Sequence, residues 1–395
     1  IGGAETFNSE LCNGLIHRGH RVINLFATLS KNETKHLISD NMFFYELGKL
    51  NLFDLNIKGM INLIFELKKI VKTYKPDILY LHLYLPPLAV AIFSNQFQLP
   101  KVVHTYGVWH KEFASVNYEG RYMKNRLTKL KYHLGLVARI FFQKLMLNKA
   151  DGIIALSNFH KNQIVSNLGI KRNKIRIIGG GVNQKNFFPP TKNKDQVKKS
   201  LGFSKKKLVC IVSRIEPRKG IIEAIKAMSI VNEDEDASLL IISPHYDCTF
   251  LHYLSSCYEA VSKYQLGGKV FFKTGLSNEQ LRPYYQMSDC FLMSSVALET
   301  FGLTIIEAMK SGTVVIGSKS GNIGELVKAV DPRLVVNKPT PASFAKTILD
   351  FFNFSSREKS EIYKKSVNIA KTFDWNVKSK ELENYFYQII DGFHL

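Results

Sequence analysis

No apolar run in this chain of 395 residues approaches the ~20 residues that a bilayer-spanning helix requires. The nearest, Ile78 to Leu83 followed by Leu85 to Phe93, is interrupted by Pro86 and Pro87. Cysteine is sparse: Cys12, Cys210, Cys248, Cys257 and Cys290 are odd in number and form no C-x-x-C pair. That argues against a disulfide framework or a zinc site, and for scattered core thiols in a reducing, cytoplasmic compartment. Short internal repeats and low-complexity tracts are missing too.

Acidic residues are scarce in one half only. Residues 1–194 carry 28 Lys and Arg against 11 Asp and Glu, a net +17, whereas residues 195–395 carry 26 against 22, a net +4. A basic half beside a nearly neutral one points to a domain that meets an anionic surface. What remains is globular in character, with 45% hydrophobic and 22% charged residues, and long enough for two domains.

Short β-branched runs alternate with longer amphipathic ones. Strands are expected at 21–29, 77–83, 101–105, 152–156 and 174–178, with helices at 4–18, 58–74, 121–148 and 158–167. The rhythm repeats with strands at 208–213, 238–242, 269–272, 290–293 and 313–316 and helices at 221–230, 249–264, 278–287 and 303–311. Two further helices are expected at 355–372 and 375–390. Such alternation implies βαβ units and two parallel sheets, an α/β protein. The polar stretch from Pro189-Pro190 onward reads as a linker, giving domains at 1–188 and 200–372, a linker at 189–199 and a terminal segment at 373–395. The chain begins at Ile1, directly before Gly2-Gly3 and a helix, so a first strand preceding it is expected to be missing.

Five segments could carry chemistry. Glu299-Thr300-Phe301-Gly302-Leu303 leads into a helical pattern that reaches Glu307; a helix start offers free N–H groups and a positive dipole end to an anion. In Ser213 to Gly220, Arg214 ends a strand and Lys219 enters the next helix, two cations suited to a diphosphate. His104, closing the strand 101–105, is either a core histidine or a donor to a substrate hydroxyl or phosphate, while His82 reads as structural. Gly2 and Gly3, at a helix start, could admit a phosphate or sugar. The segment Arg121 to Lys149 carries eight cations and no acid, interleaved with apolar residues; it is either an ordinary packed helix with a solvated face or an element attracted to anionic lipid.

Together these segments resemble the family 4 retaining glycosyltransferases across nearly the whole chain, from Gly2-Gly3-Ala4-Glu5 through Ile178 to Asn183 and Ser213 to Gly220 to Glu299 to Glu325. The resemblance implies a GT-B fold, two Rossmann-like domains facing across a cleft, with the last helix crossing back to the first domain. It implies that Glu307 binds the ribose of a nucleotide sugar, UDP- or GDP-linked, and that Glu299 contacts the donor sugar. Thr300, Phe301, Gly302 and Leu303 would line the donor site, Arg214 and Lys219 would neutralise the departing diphosphate, and His104 would touch the sugar or β-phosphate. Gly2 and Gly3 would also belong to the donor site, with Gly3 at its junction with the acceptor. No catalytic metal or cofactor is expected, and no D-x-D sits at a strand end. The chain departs from the family's pattern at Gly179-Gly180-Gly181-Val182-Asn183, at Ser243-Pro244-His245 and at Gly321-Asn322.

The expected function is sugar transfer to a carbohydrate or lipid-linked acceptor with retention, in envelope polysaccharide or glycolipid synthesis, at the inner face of the cell membrane. Two alternatives stand beside it: a nucleotide-sugar epimerase on the same fold, and a basic membrane- or nucleic-acid-binding protein with a vestigial site. No nucleic-acid motif is present, so nucleic acid is not an expected partner.

Overall fold

A computed structural model describes residues 3–28, 42–46, 57–116, 126–191, 193–203, 207–243 and 251–393. The chain forms two compact units, one of Gly2–Gly179 with Asn376–Leu395, the other of Gly180–Trp375.

In the first unit, helix Gly3–His17 buries Phe7, Leu11, Cys12, Gly14 and Leu15, the i, i+4 face that its sequence pattern marks. Strands β1 (Asn24–Thr28) and β2 (Met42–Glu46) pair in parallel. A second parallel sheet holds β3 (Leu79–His82), β4 (Lys101–His104), β5 (Gly152–Ala155) and β6 (Ile175–Ile177) side by side in that order. Strands β4 and β5 are buried along their whole length, as strands covered on both faces must be.

Pro86 and Pro87, which interrupt the longest apolar run, lie in the first turn of helix Leu85–Ile92. There a missing N–H costs nothing and the fixed φ is already helical, so the pair starts a helix that the sequence reading omitted. Helices Ile57–Tyr74, Trp109–Val116, Arg126–Lys149 and Asn158–Leu168 complete the layers. The expected helix from residue 121 is thus described from Arg126.

The last helix, Trp375–Phe393, belongs from Asn376 onward to this first unit, as the resemblance implies. Ser379 occupies the space where Gly14 would carry a side chain, since a Cβ there would fall 1.9 Å from its Oγ. The Tyr385 hydroxyl accepts a hydrogen bond from the Ile153 amide at 3.2 Å, and Glu383 meets both Arg18 and His20.

The second unit is one six-stranded parallel sheet made of β7 (Lys207–Val212), β8 (Ala237–Ser243), β9 (Val270–Thr274), β10 (Cys290–Met293), β11 (Val314–Ser318) and β12 (Val335–Val336). Its spatial order is β12-β11-β10-β7-β8-β9. The chain runs outward from β7 to β9, then returns to lay β10 on the other side of β7. That reversal makes a topological switch point between β7 and β10, where α/β sheets bind ligands beyond the strand C-termini.

One expectation changes here. Part of the stretch read as a linker forms helix Lys194–Ser200, capped by the Asn193 side chain. Its Lys194 and Lys198 converge on Asp289 at 3.0 and 2.6 Å, so residues that look like solvated linker charges are held by a carboxylate.

Candidate donor-binding site

The site is assembled at that switch point. After β7 the chain passes Ser213 and Arg214 into a 3₁₀ turn at Pro217–Lys219, then through Gly220 into helix Ile221–Asp234. Gly220 has φ 65°, and a Cβ on it would lie 2.1 Å from the Ser294 carbonyl oxygen, so only glycine fits. The close approach lets two segments join: Ser294 Oγ donates to the Lys219 carbonyl at 2.7 Å, and the Val296 amide donates to the Arg218 carbonyl at 3.0 Å.

This joint fixes a group of charges. Lys219 Nζ donates to Glu299 Oε2 at 2.6 Å, and Arg218 lies 3.9 Å from the same carboxylate. Glu216, almost fully buried, pairs with Arg218 at 2.6 Å and Arg214 at 3.3 Å. Three cations thus face two acids. Burial pushes Glu299 upward, but the Lys219 and Arg218 charges outweigh it and hold its carboxyl below the usual range. Burial, reinforced by Arg218, lowers Lys219 below its ordinary value against the pull of Glu299. Arg218 and Glu216 were not singled out in the sequence; as members of a polar turn they gave no signal beyond their charge.

Glu299 is also held by its backbone. Its amide donates to the Ser320 carbonyl at 3.3 Å and its carbonyl accepts from Asn322 at 2.8 Å. Gly321 passes so close that a Cβ would sit 2.3 Å from the Glu299 oxygen. Asn322, one of the departures from the family pattern, is buried and donates from Nδ2 to the Phe301 carbonyl at 2.9 Å. The substitution therefore adds a tie across the loop.

Next along the chain, Thr300 is half-buried and Phe301 is buried against Phe373. Gly302, with φ 99°, caps helix Leu303–Lys310, whose first turn carries no acidic residue. Glu307 lies one turn further. Its Oε2 accepts a hydrogen bond from the buried Tyr285 hydroxyl at 2.9 Å. Burial pushes Glu307 up to about 7, and the Tyr285 hydrogen bond opposes that rise.

The remaining candidates lie in the first unit. His82 and His104 are register partners on β3 and β4, with rings 5.5 Å apart. His104 Nδ1 meets the Tyr80 hydroxyl at 2.5 Å and His82 Nδ1 meets the Tyr106 hydroxyl at 2.7 Å, two crossed tyrosine–imidazole bonds. His104 is fully buried, stacks on Tyr106 and touches Phe7 edge-on. Burial, aided by His82 and His160, drives His104 well below its ordinary value, and burial takes His82 down to about 3, so both rings are neutral at pH 7. Their Nε2 atoms have no hydrogen-bond partner among the described residues, so any ligand contact by either ring falls to that nitrogen. The two histidines separated in the sequence reading thus share one cluster. Gly3 opens its helix with free space where a Cβ would stand, and Gly2 lies outside the described residues.

Residues 1–186 match glycosyltransferase family 4, and residues 193–368 match the group 1 glycosyl transferases. Among curated relatives, mannosylfructose-phosphate synthase of Agrobacterium fabrum is 26% identical over 227 residues, which span 56% of this chain and 48% of that protein. Alpha-monoglucosyldiacylglycerol synthase of Streptococcus pneumoniae is 26% identical over 264 residues, 66% of this chain and 55% of that one. The chain spans about half the length of the curated relatives it matches. Among solved structures, sucrose-phosphate synthase of Thermosynechococcus elongatus superposes with a TM-score of 0.83 at 20% identity, covering 99% of this chain and 94% of that one. The Anabaena HepE protein, solved with UDP-glucose, gives 0.76 at 17% identity over 98% and 96% of the two chains. The chain has the GT-B fold and belongs to glycosyltransferase family 4.

Proposed function

We propose that the protein transfers a sugar from a nucleotide-diphosphate sugar to an acceptor hydroxyl with retention of anomeric configuration. The observation that carries this reading is the Lys219–Glu299 ion pair at 2.6 Å, flanked by Arg218 and Arg214 beside the start of helix Leu303–Lys310. Arg214, Arg218 and Lys219 bind the diphosphate and stabilise the charge that develops as it leaves. Glu299 accepts hydrogen bonds from the donor sugar, and Glu307 takes the ribose hydroxyls. The backbone from Thr300 to Leu303 lines the donor, with Gly302 allowing close approach. His104 Nε2 addresses the sugar or β-phosphate, and Gly3 lines the donor–acceptor junction.

The acceptor oxygen attacks the anomeric carbon from the face that the diphosphate leaves. The glycosidic carbon–oxygen bond to the phosphate breaks, and a leaving phosphate oxygen takes the acceptor's proton. No metal is required where three cations and a helix end hold that charge. The donor is a UDP- or GDP-sugar, a reading supported by the UDP-glucose complex of the Anabaena protein.

The acceptor belongs to envelope polysaccharide or glycolipid synthesis at the inner face of the cell membrane, and the first unit supports a peripheral placement there. Leu127, Leu130, Leu134, Val137 and Phe141 recur on one face of helix Arg126–Lys149, each between 56% and 63% exposed. Arg126, Lys129 and Lys131 sit among them, and the helix carries no acid. An apolar stripe with basic neighbours fits an anionic lipid surface.

The deciding experiment incubates the protein with UDP- and GDP-sugars and an acceptor panel, reading the anomeric configuration by NMR. A product with the donor's configuration is expected, and an inverted product would overturn retention. For the membrane, Leu130→Asp with Leu134→Asp should release the protein from anionic vesicles. Unchanged binding would remove this helix as the contact.

A further inference from the structure

We infer that Tyr285 is a positioning residue for donor recognition, acting through Glu307. The inference rests on the donor reading of Glu307 and adds a residue to it. Tyr285 lies near the end of helix Asn278–Met287 with its side chain fully buried. Its ring packs edge-on to Phe187 and Phe291, and its carbonyl accepts a hydrogen bond from Thr313 Oγ1 at 2.5 Å. A side chain fixed in this way cannot follow a moving partner. Its hydroxyl, donating to Glu307 Oε2 at 2.9 Å, therefore sets where that carboxylate points and leaves Oε1 for a ligand hydroxyl.

The same bond governs charge. Glu307 is shifted upward by burial and downward by the Tyr285 hydrogen bond. Tyr285 itself is raised well above its ordinary value by burial and then by the Glu307 charge, so its hydroxyl keeps its proton to donate. The Tyr285 hydrogen bond thereby favours the ionised carboxylate, the form that accepts from a diol. The tyrosine touches no substrate; its effect passes through one oxygen atom of Glu307.

Tyr285→Phe keeps the ring and removes only the hydroxyl. UDP and GDP binding, measured by calorimetry from pH 6 to 9, should be about five- to tenfold weaker in the variant at pH 7. The loss should shrink at pH 9, where the carboxylate is ionised in both proteins and only its orientation still differs. In a Glu307→Ala background, which removes the acceptor, Tyr285→Phe should change nothing further. A loss equal at pH 7 and 9, or one that persists in that background, would mark a purely structural role and overturn the inference. If neither nucleotide binds the wild-type protein, the donor reading fails on its own. The ¹³C titration of the Glu307 carboxyl then still decides: Tyr285→Phe should raise its midpoint by about one unit, and an unmoved midpoint rejects the coupling.

Discussion

Glu299 and Glu307 stand eight positions apart on either side of a helix start, yet their surroundings are opposite. Glu299 is enclosed by cations, with Lys219 at 2.6 Å and Arg218 at 3.9 Å, and stays charged although buried. Among the described residues Glu307 has a neutral partner, Tyr285, and burial pushes it up to about 7. One carboxylate is thus a fixed charge in an ion cluster and the other sits at the edge of protonation. The difference teaches that motif spacing brings two carboxylates to one helix start but leaves their electrostatic character to neighbours distant in the chain.

The largest way to break that contrast is Lys219→Ala. It strips Glu299 of its nearest cation and, on the proposed function, the diphosphate of a ligand, and kcat/KM should fall by roughly 10²- to 10³-fold. Steady-state assays at saturating acceptor measure it. Gly220→Ala attacks the same side through the backbone: a Cβ 2.1 Å from the Ser294 oxygen at positive φ forces the two segments apart. A loss of about 2–4 kcal/mol in denaturant melts is expected, with weaker donor binding.

Glu307→Gln probes the other side, and its sign is opposite for stability and for function. A carboxyl raised from 4.5 in the unfolded chain to about 7 in the fold binds more protons when folded, so its burial costs stability as pH rises between those values. The amide variant should therefore match wild type near pH 5 and exceed it by about 2 kcal/mol at pH 8, while binding donor roughly tenfold more weakly. Melts at the two pH values measure the first effect and calorimetry the second. The smallest effect is expected from Asn322→Ala, which removes the 2.9 Å bond to Phe301 but leaves both carboxylates in place. About 1 kcal/mol should be lost, with little change in donor affinity.

Much of this was legible in the sequence for physical reasons. Buried parallel strands such as Cys290–Met293 read as continuous apolar runs, and Ser277 and Gln280 announce helix Asn278–Met287 by a capping box. Glu299, Glu307, Arg214 and Lys219 were visible because a glycine-marked turn follows a strand in each case. Strand Val335–Val336 was missed because two residues carry no period, and helices Asn322–Val330 and Pro341–Phe352 were passed over between clearer segments. The contacts that Tyr285, Arg218 and Glu216 make with these carboxylates and cations were invisible, because nothing local distinguishes a tyrosine that meets a carboxylate 22 positions away. The exposure of Leu127 to Phe141 was equally hidden: an amphipathic pattern marks an apolar face and says nothing about whether it is covered.

The most direct measurement compares UDP with UMP, and GDP with GMP, for affinity to wild type and Lys219→Ala. If the cluster around Glu299 is the diphosphate site, wild type should prefer the diphosphate strongly and the variant should lose most of that preference. An unchanged preference in Lys219→Ala would contradict the account.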